Sequence, residues 1–303
     1  MTRLLSQEPG HRECVEDSKG KRSVGLRRIV GKRADDAVKR LHYGHGDLHI
    51  IEFGLLAILL SFIQPYVFLS ENWKRRWVKV FLAGSIILPV FVLLELKLGL
   101  VAGGIADVGG LLIITALIGM LAGILRYSGS LDASSGEKAV SGARKMLIFG
   151  GVVLAAVGML YGLYYAVFVE HQTLESIGGS LAGSFVHAAE GDLPAAHRAI
   201  DAYAAVKYKH VRQVDVHSHW IGLAMLMIVM GAVVDRMRFS ERIRFWIAIA
   251  FLAGSVVFPL GVILQTVNRG GVFPSALAVG GSALVTMALL AAAVGFARQS
   301  VCQ

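Results

Sequence analysis

Residues 81–89 read FLAGSIILP, and residues 251–259 read FLAGSVVFP. Phe81-Leu82-Ala83-Gly84-Ser85 with Pro89 thus returns as Phe251-Leu252-Ala253-Gly254-Ser255 with Pro259, at an offset of 170 residues. The same offset aligns Glu71 with Glu241, Lys74 with Arg244, Leu94 with Leu264, Gly110 with Gly280 and His49 with His219, so the correspondence spans a whole three-helix unit. Outward from these strings the apolar residues fall in runs of about 20, the length a helix needs to cross the hydrocarbon of a bilayer.

A chain of 303 residues, 55% hydrophobic with mean hydropathy +0.62, fits a membrane protein and not a soluble fold. Spans read at 48–69, 78–98, 107–127, 145–169, 216–236, 243–265 and 273–297, with charge, Gly or Pro marking the turns. The sequence therefore predicts an all-α integral membrane protein of about seven transmembrane helices. Helices 1–3 and 5–7 form two three-helix repeats joined by helix 4. A single helix between them sends both across the membrane in the same direction, so the repeats are parallel and equivalent residues lie at equal depth.

Along the chain this gives a basic polar segment at 1–47, a first repeat at 48–127, a linker and helix 4 at 128–169, a surface connection at 170–214, and a second repeat with a short tail at 215–303. Segment 24–42 spaces apolar residues near a helical period amid basic ones, which suits either an amphipathic surface helix or a solvated tail. The polar run from Thr2 to Gly46 lacks the apolar core of a cleavable signal. The connection reads as two surface helices: roughly 173–189, then one opening at Asp192-Leu193-Pro194, with Asp as cap and Pro in the first turn, and ending near Val211.

The net charge of +9 concentrates in the N-terminal segment and in three short loops, a pattern of topology and headgroup contact rather than nucleic-acid binding. Lys74, Arg75, Arg76, Lys79, Arg126, Lys138, Arg144, Lys145, Arg236, Arg238, Arg242 and Arg244 crowd loops 1–2, 3–4 and 5–6, whereas loops 2–3 and 6–7 carry little beyond Lys97 and Arg269. The short loops thus put the basic face in the cytoplasm of a bacterial inner membrane and the opposite face in the periplasm. The basic N-terminal tail argues the other way, and the short loops are given precedence. Cys14 and Cys302, one in each tail, offer no disulfide framework, no CxxC pair and no CxxCH haem attachment.

Nine of the ten histidines fall at or near the face opposite the basic loops: His42, His45 and His49 before or at helix 1, His171 at the end of helix 4, His187, His197 and His210 in the connection, and His217 and His219 at helix 5. The repeat aligns His45-x-Asp47-x-His49 with Asp215-x-His217-x-His219, two histidines and one aspartate per half. Residues i and i+4 share a helix face, so His45 with His49 and Asp215 with His219 can point alike. Imidazole and carboxylate donors of this kind bind Cu, Fe, Zn or Mn, and imidazoles at equal depth on facing helices can hold a haem iron axially. Interfacial histidines bonded to headgroups and loops are the plain alternative.

Glu52, inside the apolar part of helix 1, is expensive there unless paired or wet, and is a functional candidate by default. Glu95 with its repeat partner Gln265, Asp107, and Glu170-His171 reach the same face and could complete a metal shell or a proton path, with Glu95 and Asp107 reading equally as exposed helix ends beside Lys97. Tyr161, Tyr164 and Tyr165 read as an interfacial aromatic belt. The scattered His187, His197 and His210 read as solvated residues or as supports for the ligands.

The string Val216-His217-Ser218-His219-Trp220-Ile221-Gly222-Leu223 resembles the HxH helix starts of polytopic bacterial haem proteins, the NnrS family and relatives of haem–copper oxidase subunit I. The resemblance implies haem b, with His49 and His219 as its axial ligands, and His45 and His217 as contacts to a second metal or to the propionates. The expected function is a membrane-embedded haem- or metal-binding protein, acting in electron transfer or as a subunit among other membrane redox subunits. A metal-cation or proton transporter, and a noncatalytic subunit whose histidines seat a partner, are the alternatives. No serine, cysteine or lysine nucleophile constellation and no phosphate-binding glycine loop is present, and whether the chain is an enzyme is left open.

Overall fold

The computed structural model describes residues 50–126 and 141–300. His42, His45, Asp47 and His49, the 1–47 segment, most of the 3–4 loop and both cysteines lie outside the described residues. Every described element is helical: α1 (Ile50–Tyr66), α2 (Glu71–Leu98), α3 (Leu100–Leu125), α4 (Gly142–Tyr165), α5 (His171–Glu190), α6 (Leu193–Val233), α7 (Glu241–Val267) and α8 (Val272–Ser300). Six helical stretches are long and apolar enough to cross a membrane, Glu71–Glu95, Leu100–Leu125, Gly142–Glu190, Leu193–Arg236, Glu241–Val267 and Val272–Arg298, while Ile50–Tyr66 is a shorter apolar helix.

α2 starts at Glu71 rather than 78, because its charged opening ENWKRRW is helical although it is not apolar. Ser70 (φ −60, ψ 150) and Ser240 (φ −59, ψ 153) stand extended at the N-caps of α2 and α7, and Glu71 and Glu241 follow in the first turns, where the helix dipole favours an anion. Gly99 (φ 65) turns α2 into α3, and Gly270 (φ 75) lies in the turn between α7 and α8, both in the left-handed region that favours glycine.

Each of these hairpins packs through glycine. A Cβ at Gly84 would sit 2.6 Å from the Gly109 carbonyl oxygen, and one at Gly109 2.7 Å from the Leu88 nitrogen. In the other hairpin a Cβ at Gly254 would sit 2.8 Å from the Gly281 carbonyl oxygen, and one at Gly281 would overlap the backbone of Phe258. Small residues let backbones touch where lipid supplies no hydrophobic drive between helices. The close contacts therefore run through Gly109 and Gly281. Gly280, paired with Gly110 at the 170-residue offset, has nothing within 4 Å of its Cβ position.

Two expected breaks are absent. α4 passes through a π turn, Ala166–Glu170, directly into α5, and α6 runs unbroken for 41 residues. The expected surface helix ending near Val211 and the span beginning at 216 are one helix, because the stretch between them contains neither Gly nor Pro and a change of polarity does not stop a helix. Asp192 does cap α6, its Oδ1 accepting from Ala195 N at 3.0 Å, after Gly191 (φ 82) closes α5.

Among the described residues, 172–207 cluster as one compact unit, and 50–126, 141–171 and 208–300 as another. In the larger unit a continuous apolar core runs from Phe53 and Leu56 through Phe81, Ile113, Leu147 and Ile221. Outward-facing Ile51, Ile86, Leu111 and Leu290 are 52–65% exposed, an apolar exterior suited to lipid.

Candidate functional site

α4 and α6 run antiparallel along a seam of small residues. Gly151, Ala155, Gly158 and Gly162 lie on one face of α4, and a Cβ at Gly151 would meet the Ala224 carbonyl oxygen at 2.9 Å. Gly158 takes Trp220 and Ile221, and a Cβ at Gly162 would overlap the His217 ring. His217 is buried, and its Nδ1 donates to the Gly158 carbonyl at 2.8 Å. One helical repeat further, the buried Tyr165 hydroxyl and His210 Nδ1 lie 2.5 Å apart, immediately before the π turn. π turns recur at functional sites because they displace the residues around them. Tyr161 meets Trp220 edge-on at 5.4 Å, and the buried Trp220 Nε1 has no hydrogen-bond partner among the described residues.

Asp215 and His219 occupy the other side of α6. His219 is half-buried with its ring 4.7 Å from that of Phe258 on α7, and no hydrogen bond holds it among the described residues. Asp215 pairs with Arg212 at 3.7 Å. Arg212 and Arg269 lie over the Tyr208 ring at 5.4 and 4.6 Å, bringing the α7–α8 turn beside this end of α6. Asp215 and His219 thus share a face as expected, but His217, two residues from each and so about 200° round the helix, points into α4. Among the described residues no three His, Cys, Asp or Glu side chains form a group able to hold a metal ion.

Glu52 is buried in the first described turn of α1. Glu95 packs on α3, where a Cβ at Gly103 would sit 2.9 Å from its Oε1. His171 is exposed at the start of α5, and within the 172–207 unit His197 is exposed while His187 approaches Glu190 at 3.9 Å. The Tyr165–His210 pair was not anticipated. Tyr165 is buried and only Tyr164 faces outward, so the aromatic belt is Tyr164 rather than the whole run. The signal for the pair was the seven-residue spacing of His210 and His217, opposite small residues spaced four, three and four along helix 4.

The far end of the bundle is basic and self-contained. Asp235 is clamped between Arg144 (3.0 Å) and Arg244 (3.1 Å), and Ser141 bonds the same carboxylate. Arg144 also donates to Tyr66 at 3.0 Å, so the ends of α1 and α6 meet the starts of α4 and α7. Within 208–233, the part of α6 that belongs to the larger unit, His210, His217 and His219 lie in the half away from Asp235.

Among the described residues the fold is helical throughout, with six helices long and apolar enough to cross a membrane. Compared with protein-family models, with curated proteins and with solved structures, the chain matches none.

Proposed function

We propose that the protein is a membrane-embedded haem-binding protein, acting in electron transfer or as a subunit of a larger membrane redox complex, with the iron held between His49 and His219. The observation that carries this is the His219 ring: half-buried, braced on Phe258 and without a hydrogen bond among the described residues, on the helix where Arg212 and Arg269 meet over Tyr208. Axial ligation of haem asks one imidazole of each half, whereas a three-donor Cu, Fe or Zn site asks Asp215, His217 and His219 to converge, and His217 is turned toward Gly158. Arg212 and Arg269 are the cations that would take the propionates. The haem would supply one-electron chemistry, and the protein would set its potential through burial and charge.

The reading includes seven spans, α1 among them, in two parallel halves. Its support is the 170-residue offset together with Ser70 and Ser240 as matching caps and Gly84 and Gly254 as matching contact points, the register slipping by two in α3 and α8. It also places the histidine-bearing end in the periplasm of a bacterial inner membrane. A transporter is less well supported. Among the described residues the hydroxyls of Ser85, Thr115, Ser282 and Thr286 donate to carbonyls of their own helices at 2.7–2.9 Å, which leaves Ser255, fully buried and without a hydrogen-bond partner, as an isolated polar group.

The test is haem content in His49→Ala and His219→Ala proteins purified from the membrane, with His187→Ala as control. Each of the first two loses the bound haem while keeping the elution profile of the parent; full content in both overturns the assignment.

A further inference from the structure

The basic end carries a site that the haem reading does not use. A cavity of about 570 Å³ opens between the end of α1 and the first turns of α2, walled by Gln64, Glu71, Lys74, Arg75, Val78 and Lys79. Three cations face one carboxylate there, and that carboxylate, Glu71, is exposed and paired with Lys74 at 3.0 Å. Gln64 donates through Nε2 to the Leu60 carbonyl at 3.1 Å, which fixes the orientation of its amide. Its Oε1 is thereby left buried with no partner among the described residues, an acceptor awaiting a donor.

The corresponding corner of the other hairpin is closed by the protein itself. Arg244, the counterpart of Lys74 at the 170-residue offset, is bonded to Asp235. The position that corresponds to Asp235 is Pro65, so at the first corner Lys74 has no such internal carboxylate, and Arg75 and Lys79 stand where the other hairpin has Phe245 and Ile249. This comparison rests on the repeat, but the cavity does not. Below the cavity, exposed Leu55 and Ile58 on α1 and Leu82 and Ile86 on α2 continue as apolar stripes, 44–65% exposed.

We infer that this cavity binds the headgroup of an anionic phospholipid bearing hydroxyls, of the phosphatidylglycerol type. The phosphodiester meets Lys74, Arg75 and Lys79, a headgroup hydroxyl donates to Gln64 Oε1, and the acyl chains follow the apolar stripes. Cations at this depth attract any anionic lipid. The buried acceptor selects one with a donor.

Native mass spectrometry of the detergent-purified protein, offered phosphatidylglycerol, phosphatidylmethanol or phosphatidylethanolamine, tests it. Phosphatidylmethanol carries the same charge as phosphatidylglycerol and no hydroxyl. The site predicts that phosphatidylglycerol is retained roughly tenfold over phosphatidylethanolamine. It is also retained over phosphatidylmethanol, by a margin that Gln64→Leu removes while leaving the preference for anions. The combined Lys74→Ala, Arg75→Ala and Lys79→Ala protein, checked for an unchanged melting temperature, loses the preference for anions. Equal retention of all three lipids by the parent overturns the inference even without a variant. So does full displacement of phosphatidylglycerol by millimolar inorganic phosphate, which would make the cavity a site for a free anion. None of these readouts involves haem, so this inference and the haem assignment fail separately.

Discussion

Tyr165 and His210 illustrate what a single buried bond does in this bundle. Removing the hydroxyl leaves His210 Nδ1 buried and unpaired, so Tyr165→Phe should cost about 1–3 kcal/mol. Tyr164→Phe, at an exposed ring, should change stability by less than about 0.5 kcal/mol; thermal unfolding in detergent compares the two. Asp235 holds two arginines at once, and Asp235→Ala removes the carboxylate partner of both, leaving Arg144 only its bond to Tyr66, a loss of about 2 kcal/mol by the same measurement. At this scale the sequence announced the histidines but not their directions. Periodicity predicts that Asp215 and His219 share a face and that His217 does not; which neighbour each face meets depends on the packing of α4 and α7, which no local spacing encodes.

The helix hairpins make a sharper prediction. Gly109→Ala drives a methyl group against the Leu88 backbone, and Gly281→Ala drives one against Phe258, so each should destabilise by about 1–3 kcal/mol through overpacking. Gly104→Ala and Gly280→Ala meet open space and should be neutral or stabilise by up to about 1 kcal/mol through helix propensity. If Gly280→Ala proved the damaging one, the close contact would run through Gly280 and not Gly281, a slip of one residue and not two from the 170-residue offset. The existence of α2, α3, α4, α7 and α8 was legible because each carries a long apolar run. The expected starts of α4, α7 and α8 fall within three residues of the observed ones, whereas α2 and α3 each begin seven residues earlier than expected, α2 because its charged first turns ENWKRRW are invisible to hydropathy. The union of the connection with the span in α6 was missed for a related reason: hydropathy marks where a helix is buried in lipid, not where it ends.

For the whole molecule, the segregation of charge fixes the expected orientation. Replacing Cys14 and Cys302 and introducing single cysteines at Arg238 or Gly270 allows labelling from one side of sealed cells. A membrane-impermeant maleimide should modify the cysteine at 270 and spare that at 238, as the short-loop rule requires; the reverse result would invert the topology and give the N-terminal tail precedence. That Arg144 and Arg244 gather at one end of the bundle was foreseeable from the charge of the short loops. The Asp235 clamp was not, because it joins residues about 90 positions apart in the chain. The decisive measurement for the central claim is an optical spectrum of the purified protein, oxidised and then reduced with dithionite, with elemental analysis of the same sample. A Soret band with sharpened reduced bands and stoichiometric iron is the expected result; a colourless protein, with or without bound metal, contradicts it.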